Sequence, residues 1–242
     1  MGIKGVKKAE GNEVNSTLRY TRSIIISLLV IVLIAIFFFT VGCQSHNNNL
    51  TDGMGSAYVS SAQAMMDYTA AGQKAQEDSL PQLAVLFKAA AMMEQVHMDK
   101  LREYYKDYTG NTEELDKYDN LHNIKKFDVG TSVVYLMDST KHALVYLMGK
   151  QSYLVNSLFE SLGTQAGKEG DSKLSDLYLW FMGAESSAYR LFSDAYQNFS
   201  QSRLFTDKYN VCPRCGSIYI YGDNVQYCTV CGEKADMFML VK

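Results

Sequence analysis

The sequence predicts a mainly α-helical protein with three parts: an N-terminal transmembrane or signal-anchor helix, a bundle of four helices, and a small C-terminal β module that binds a metal ion. Three observations support this prediction. The 242 residues include only two prolines, and the helix-favouring residues Ala, Met, Leu and Lys are abundant over most of the chain. An apolar run lies near the start. Four of the five cysteines form two Cys-x-x-Cys pairs near the end.

Length and charge limit the classes of protein to which this chain can belong. The chain is long enough for a membrane segment, one medium domain and a small one. Its formal net charge is −3, and residues 1–42 contain five basic and two acidic residues, so the remainder carries −6. An acidic folded part argues against nucleic acid as a partner. The predicted parts are a cytoplasmic segment (1–22), a transmembrane helix or lipoprotein signal (23–42), a linker (43–53), the helical bundle (54–206) and the cysteine module (207–242).

The apolar run covers residues 24–41 and is interrupted only by Ser27 and Thr40. It is long enough to span a bilayer as a helix. Basic residues precede it, and no Lys or Arg follows until Lys74. By the positive-inside rule, the N-terminus stays in the cytoplasm and the folded part lies outside the cell membrane.

A second interpretation of the same region remains open. The sequence Thr40-Val41-Gly42-Cys43 and the polar residues after it resemble a bacterial lipoprotein signal, which would make Cys43 a lipidated first residue. Thr40 stands where such signals usually have leucine, and the 22-residue segment before the apolar run is long for a signal peptide. Both interpretations predict a membrane-attached protein whose folded part is extracytoplasmic.

Four helices are predicted after the linker. Pro81 breaks the first helix and fits the first turn of the second. Asp171 or Ser172 is expected to be the N-cap of the fourth. The segment 109–130 is too polar for a core and is expected to cross over between the two helical pairs. The predicted helices cover residues 55–79, 81–108, 131–166 and 172–201.

An inward-facing stripe with alternating four- and three-residue spacing identifies the buried side of two helices. In the second helix, Glu94 and His97 interrupt this apolar stripe, and their spacing projects both side chains to the same side. Di-iron bundles use such Glu-x-x-His pairs as ligands, although a core histidine with a glutamate partner is the commoner arrangement when the pair is considered alone. Glu185 interrupts the stripe of the fourth helix. The two stripes are Leu83, Phe87, Ala90, Glu94, His97, Leu101 and Tyr104, and Leu174, Tyr178, Phe181, Glu185, Ala188, Phe192, Ala195 and Phe199.

The cysteine pairs predict a metal site at the C-terminus. Each Cys-x-x-Cys forms a knuckle that directs two thiolates to one point, and two knuckles complete a tetrahedral four-sulfur cage. Iron and zinc both accept this geometry, so the spacing does not choose between them. Two disulfides are the alternative in an oxidising compartment. The predicted ligands are Cys212, Cys215, Cys228 and Cys231.

The cysteine module, with Lys234 and Phe238 after it, and residues 63–97 resemble the rubrerythrin family. This resemblance implies a ferritin-like four-helix bundle that holds two irons, followed by a rubredoxin-like module. Glu94 and His97 fall on the family's iron-binding Glu-x-x-His. The resemblance also implies a redox partner and pairing with a second copy.

Several positions depart from the family pattern. Ser61 stands where the family has a first-helix glutamate, and Lys150 and Tyr153 occupy the third-helix positions. Ala188 replaces the histidine that would follow Glu185. Because only Glu94, His97 and Glu185 remain of seven ligands, a di-iron centre is not expected. Asp138 and His142 could substitute for the missing ligands, but they are predicted two turns or more from Lys150 along the third helix. His122 falls in the crossover.

Lys150 suggests what replaces the metal. We expect its ammonium to bridge Glu94 and Glu185, with Tyr153 and His97 completing the hydrogen bonds, because buried carboxylates require partners. Alternatively, Lys150 extends its ammonium out of the bundle to water.

Three functions therefore remain open. In the first, the chain is a rubrerythrin-like protein whose cysteine site transfers electrons through a bound iron or stabilises the fold with a bound zinc. Alternatively, it is an active peroxide reductase with a di-iron centre, and thus an oxidoreductase. The third function is a non-catalytic extracytoplasmic binding module with structural zinc, which has no redox chemistry.

Overall fold

The computed structural model describes residues 49–121 and 132–242. The predicted transmembrane segment, Cys43 and His122 lie outside these residues. No helix in the described ranges is both long enough and apolar enough to cross a membrane.

Four long helical segments form the bundle, as predicted, with boundaries that differ from the expected ones. The first helix, α1, covers residues 49–77 of the described part of the chain and so includes residues of the expected linker. It is followed by α2 (Pro81–Thr109) and a short helix, α3 (Glu113–Leu121). The third long segment consists of α4 (Thr140–Tyr153), a π-helical stretch (Leu154–Phe159) and α5 (Glu160–Lys168). The fourth is α6 (Ser172–Gln197). Short 3-10 helices cover Val133–Leu136, Phe199–Leu204 and Ala235–Met237.

The ends of the helices follow from local sequence. Pro81 occupies the first turn of α2, where its missing N–H is not needed. Gly110, with φ 84°, ends this helix in the left-handed region. The Asp171 carboxylate accepts from the backbone N–H of Leu174 at 3.0 Å, so Asp171 is the N-cap of α6, as predicted.

The expected polar crossover contains a helix. Asn111 accepts from the N–H of Glu113 at 3.0 Å and so supports the start of α3. Leu115 is fully buried, and Arg102 pairs with Asp116 at 2.6 Å. The buried leucine and the ion pair both hold this short helix against the bundle although most of its residues are polar.

The third long helix begins later than predicted. Ser139 has an extended backbone and caps α4, so Asp138 precedes the helix instead of lying on it. His142 lies in the first turn and is exposed. Asp78, just beyond α1, accepts from both the N–H and the hydroxyl of Thr140 at 2.7 Å. These hydrogen bonds hold the end of α1 against the start of α4.

The C-terminal module is a three-stranded antiparallel sheet. Its strands are β1 (Tyr209–Val211), β2 (Ile218–Ile220) and β3 (Met239–Val241), in the order β2-β1-β3. Tyr209 pairs with Ile220 on one side and with Val241 on the other. Apolar residues of all three strands belong to the same buried core as the helices, so residues 50–242 form one unit.

Candidate metal centres

The two cysteine pairs lie at neighbouring turns of the module. The first follows β1, and its turn is closed by a hydrogen bond from the Gly216 N–H to the Cys212 carbonyl at 2.9 Å. The second closes in the same way, from Gly232 to Cys228 at 2.9 Å. Both glycines have positive φ, 84° and 77°, a conformation that glycine adopts without steric cost. The repeated turn explains why a glycine follows each pair.

The four cysteine sulfurs converge on one point. All lie within 4.8 Å of one another, with Cys212 and Cys231 at 3.5 Å and Cys215 and Cys228 at 3.4 Å. These separations exceed the S–S bond length of about 2.05 Å, and the four cysteines are free thiols. Four convergent sulfurs are a complete ligand set for one tetrahedral zinc or iron ion.

Hydrogen bonds favour negative charge on one of the four sulfurs, whereas hydrogen bonds with Cys212 and Cys228, together with burial, raise the pKa of Cys215. Hydrogen bonds from Cys212 and Cys215, with a further one from the Tyr219 hydroxyl at 3.3 Å, lower the pKa of Cys228 far below its ordinary value, although burial opposes this effect. The Tyr219 ring is stacked on Phe238 at 5.1 Å. The Cys228 sulfur is therefore prepared to act as a thiolate ligand.

The cage is shielded unevenly. Cys212 and Cys215 are fully buried and Cys228 is 3% exposed, whereas Cys231 is partly exposed. Trp180 packs against the cluster, and its ring lies under the guanidinium of Arg214 at 4.5 Å. One edge of the cage thus reaches the surface while the rest lies against the bundle.

The three residues singled out inside the bundle come together. Glu94, His97 and Glu185 are fully buried, and their ligand atoms lie within 4.8 Å of one another. His97 Nδ1 is 3.2 Å from Glu94 Oε2 and 3.6 Å from Glu185 Oε1. Burial and the nearby Glu94 raise the pKa of Glu185 well above its ordinary value, and Lys150 partly opposes this shift.

His97 also connects this cluster to the cysteine module. Its Nε2 lies 3.0 Å from the Cys215 carbonyl oxygen, and because a carbonyl only accepts, Nε2 must carry the proton. Nδ1 then faces the two carboxylates, an arrangement typical of metal-binding histidines, whose second nitrogen donates to a carbonyl or carboxylate. A Cβ added at Gly216 would lie 3.0 Å from Nε2 and 2.8 Å from Met93 Cγ. The knuckle glycine therefore permits this close approach.

Comparison with known proteins decides the family. The family model described as Rubrerythrin matches residues 52–196, more than half of the chain. The chain belongs to the rubrerythrin family.

Individual relatives agree with this assignment. Rubrerythrin-2 of Clostridium acetobutylicum is 25% identical over 201 residues, which cover 81% of this chain and 98% of the relative. Nigerythrin structures in the mixed-valent and the fully reduced, all-ferrous states match with a TM-score of 0.64 and 21% identity, over 79% of this chain and 86% of nigerythrin. At this identity the likeness to nigerythrin is one of fold.

The positions that depart from the rubrerythrin pattern have different environments. Ser61 is fully buried, and its hydroxyl has no hydrogen-bond partner in the described part of the chain. Ala188 is fully buried, whereas Tyr153 is 56% exposed. Tyr153 therefore does not complete the hydrogen bonds of the buried glutamates, contrary to our expectation.

The expected bridge from Lys150 to Glu94 and Glu185 is wrong in its partner. Lys150 Nζ lies 2.5 Å from Asp67 Oδ2, with the Lys150 side chain 14% exposed and that of Asp67 1% exposed. Ser132 also donates to Asp67, at 2.8 Å. A carboxylate on α1 therefore pairs with this ammonium in place of the two glutamates.

Sequence reasoning missed three polar residues of the bundle interior. Asp67 could have been found, because it lies three residues after Ala64 and four before Ala71, both buried. Gln151 and Tyr68 are also fully buried, and the Gln151 side chain faces the Tyr68 hydroxyl, whose pKa it lowers against the larger opposing effect of burial.

Proposed function

We propose that this rubrerythrin-family chain is a membrane-attached electron carrier with one iron in its cysteine cage and without the family's di-iron centre. The observation that carries this proposal is the contrast between the two ligand groups. In the described residues, the cage offers four convergent sulfurs, whereas the bundle group offers one histidine and two carboxylates. One group is complete for a single ion, and the other is short of the ligands that two ions require.

The exposure of the cage supports electron transfer. Bound iron supplies one-electron chemistry, which zinc does not have. The partly exposed Cys231 offers a surface route for electron exchange with a redox partner. The buried Cys212 and Cys215 keep water from the opposite side of the site. A zinc ion that only stabilises the fold would not require an exposed edge.

The bundle is unsuited to two irons because an ammonium and neutral groups replace carboxylates and a histidine of the family pattern. Lys150 brings a positive charge into the interior and pairs with Asp67. Ser61 and Ala188 offer neither negative charge nor an imidazole. Two divalent ions need several carboxylates to neutralise them, so we expect peroxide reduction at a di-iron centre to be lost.

A single metal ion in the bundle is a second candidate, and one observation favours it. One oxygen of Glu94 and both oxygens of Glu185 have no hydrogen-bond partner among the described residues although they are buried. Unpaired buried carboxylate oxygens are costly. An ion held by Glu94, His97 and Glu185 would satisfy them.

Membrane attachment is part of the proposal and rests on the N-terminal sequence. The apolar run and the basic residues before it favour an extracytoplasmic folded part. Substituting Cys43→Ser tests the mode of attachment. If the chain is a lipoprotein, the variant loses lipidation and keeps its signal, whereas a transmembrane anchor leaves the variant unchanged in size and in membrane association.

The experiment that tests the electron-carrier proposal measures metals per chain and the visible spectrum of the full-length protein, purified in detergent without oxygen. We expect one iron per chain and a rubredoxin-type spectrum that bleaches on reduction and returns on oxidation. One zinc and no colour would overturn the redox function and favour the binding module. Three irons per chain would favour the active peroxide reductase with a di-iron centre.

Matched variants assign each metal to its site. Cys228→Ser should remove the iron and the colour, whereas Glu185→Gln should leave both unchanged. If the parent holds two metals and Glu185→Gln loses one of them, the second candidate is correct.

A further inference from the structure

Two hydroxyl groups outside the ligand set reach the cysteine cage from β2 and from the residue before it. The Ser217 hydroxyl lies 3.2 Å from Cys215 Sγ, and the Tyr219 hydroxyl lies 3.3 Å from Cys228 Sγ. Residues two apart along an extended strand point to the same side. Ile218, between them, packs into the core shared with the helices. The order Ser-Ile-Tyr therefore directs both hydroxyls towards the metal site.

The Ser217 hydroxyl is an addition that the turn itself does not require. The backbone N–H of Ser217 hydrogen-bonds to Cys215. Glu233 occupies the same position of the second knuckle, and its backbone N–H hydrogen-bonds to Cys231. The Glu233 carboxylate has no proton to donate, and its Oε1 accepts from the Lys234 N–H at 3.1 Å. The two knuckles thus share their backbone donors, and the first has a hydroxyl as well.

The surroundings of the Tyr219 hydroxyl direct its proton to the sulfur. The phenolic oxygen accepts from the backbone N–H of Thr229 at 2.9 Å, and the Thr229 hydroxyl lies 3.2 Å away. Because the oxygen is occupied as an acceptor, its proton is left for Cys228 Sγ. The ring is stacked on Phe238 with 15° between the planes, which fixes the position of the hydroxyl.

Both hydroxyls serve sulfurs that water does not reach. Cys215 is fully buried and Cys228 is 3% exposed, whereas Cys231 lies at the exposed edge of the cage. A thiolate ligand only accepts hydrogen bonds, so both hydroxyls donate when the cage holds a metal. Hydrogen bonds to a charged acceptor are stronger than those between neutral groups, and a low dielectric strengthens them further.

Such donors act on the redox chemistry of a four-thiolate site. The cage gains one negative charge when the iron that it holds is reduced. Hydrogen bonds to the sulfurs stabilise the more negative state, and they are among the factors that set the reduction potentials of iron–sulfur sites. Reduction transfers one electron from a partner and breaks no bond, and each hydroxyl keeps its proton.

We propose that Ser217 and Tyr219 set the reduction potential of the cysteine site, by donating hydrogen bonds that favour its reduced state. This inference rests on the electron-carrier function proposed above and describes how the same site is tuned. Because the two hydroxyls raise the potential, a mild one-electron donor is sufficient to reduce the site.

The test is a potentiometric titration of the full-length protein in detergent, followed by visible absorption after any zinc has been exchanged for iron. Tyr219→Phe keeps the ring and should lower the equilibrium constant for reduction by about five- to tenfold, or about 40–60 mV at about 59 mV per tenfold change. Ser217→Ala should lower it by about threefold, or about 30 mV. The two shifts should add in the double variant, since the donors serve different sulfurs.

Two matched variants serve as controls. Tyr221→Phe removes the hydroxyl of an exposed tyrosine just beyond β2. Ser187→Ala removes a buried hydroxyl that accepts from the Ile218 N–H at 3.1 Å, and so tests whether a disturbance of β2 alone shifts the potential. Both controls should keep the parent potential, and iron content and far-ultraviolet circular dichroism should be the same in all variants.

The outcomes for the two proposals are distinguishable. Since the titration uses iron-loaded protein, zinc in the protein as purified would overturn the electron-carrier function alone. An unchanged or raised potential in either Tyr219→Phe or Ser217→Ala, or an equal shift in a control, would overturn the tuning role of the hydroxyls alone.

Discussion

His97 joins the helical bundle to the cysteine module through Cys215: its Nε2 lies 3.0 Å from the Cys215 carbonyl oxygen. The other ring nitrogen faces Glu94 and Glu185, and the ring lies 4.1 Å from that of Phe181. A single buried side chain therefore connects the two groups of candidate ligands. Removal of the His97 side chain should therefore affect both the bundle and the cysteine cage.

We expect His97→Phe to lower the free energy of unfolding by about 3 kcal/mol, because the buried Cys215 carbonyl loses its donor and the two glutamates lose their polar neighbour. The iron-loaded variant should also show an altered visible circular dichroism spectrum. Urea unfolding and spectroscopy of the full-length protein measure both effects. His142→Phe changes an exposed histidine and should alter neither. An unchanged spectrum in His97→Phe would mean that the cage does not depend on this contact.

Lys150→Met tests the ion pair with Asp67. Removing the ammonium leaves a nearly fully buried carboxylate unpaired, so we expect a loss of about 3 kcal/mol in the free energy of unfolding. Adding Asp67→Asn should recover most of this loss, since the amide is uncharged and still accepts from Ser132. Lys173→Met is the matched exposed control. If the single and double variants unfold at the same urea concentration, the charge pair does not stabilise the bundle.

Glu185 should make the stability of a metal-free bundle depend on pH. Its pKa is raised above 4.5 by burial and by Glu94, so the folded state binds this proton more tightly than the unfolded state. The associated loss of stability is absent below pH 4.5 and grows as the pH rises towards the folded-state pKa. Glu185→Gln removes this dependence, and we expect it to raise the free energy of unfolding by about 1–3 kcal/mol at pH 7.

Urea unfolding of the cage-loaded protein at several pH values measures this effect, with the exposed Glu160→Gln as the control. A bundle that holds a metal ion predicts the opposite sign, because Glu185→Gln would then remove a ligand and lower the stability.

Gly183→Ala tests the contact between α6 and the second knuckle. The added Cβ would lie 2.6 Å from Val230 Cγ1, so we expect a loss of about 1–2 kcal/mol despite the helix-favouring change. Gly149→Ala is the control, since its Cβ would meet nothing within 4 Å, and it should stabilise the protein by about 0.5–1 kcal/mol. Thermal unfolding measures the stability of the two variants. Adding Val230→Ala to Gly183→Ala should recover the lost stability. If it does not, the contact with Val230 is not the cause of the loss.

Much of the bundle could be predicted from the sequence, because its signals are local. Pro81 and Asp171 marked helix starts, and Glu94 and His97 share one helix face whatever the rest of the chain does. The start of the third helix was predicted too early, because the apolar segment Val133–Leu136 forms a separate short 3-10 helix and Ser139, with an extended backbone, caps the long helix after it. The helix α3 was missed because its docking depends on a partner, Arg102, from another helix.

The two knuckles, the Glu-x-x-His pair and the lone Glu185 could be read from the sequence, since spacing along a chain fixes which side chains a turn or a helix face presents. Which of these groups meet depends on the packing of the helices and the sheet. The ion pair between Lys150 and Asp67 and the hydrogen bond from His97 to Cys215 each join segments far apart in the chain. Their distances depend on how the helices and the sheet pack, and helical periodicity does not encode them.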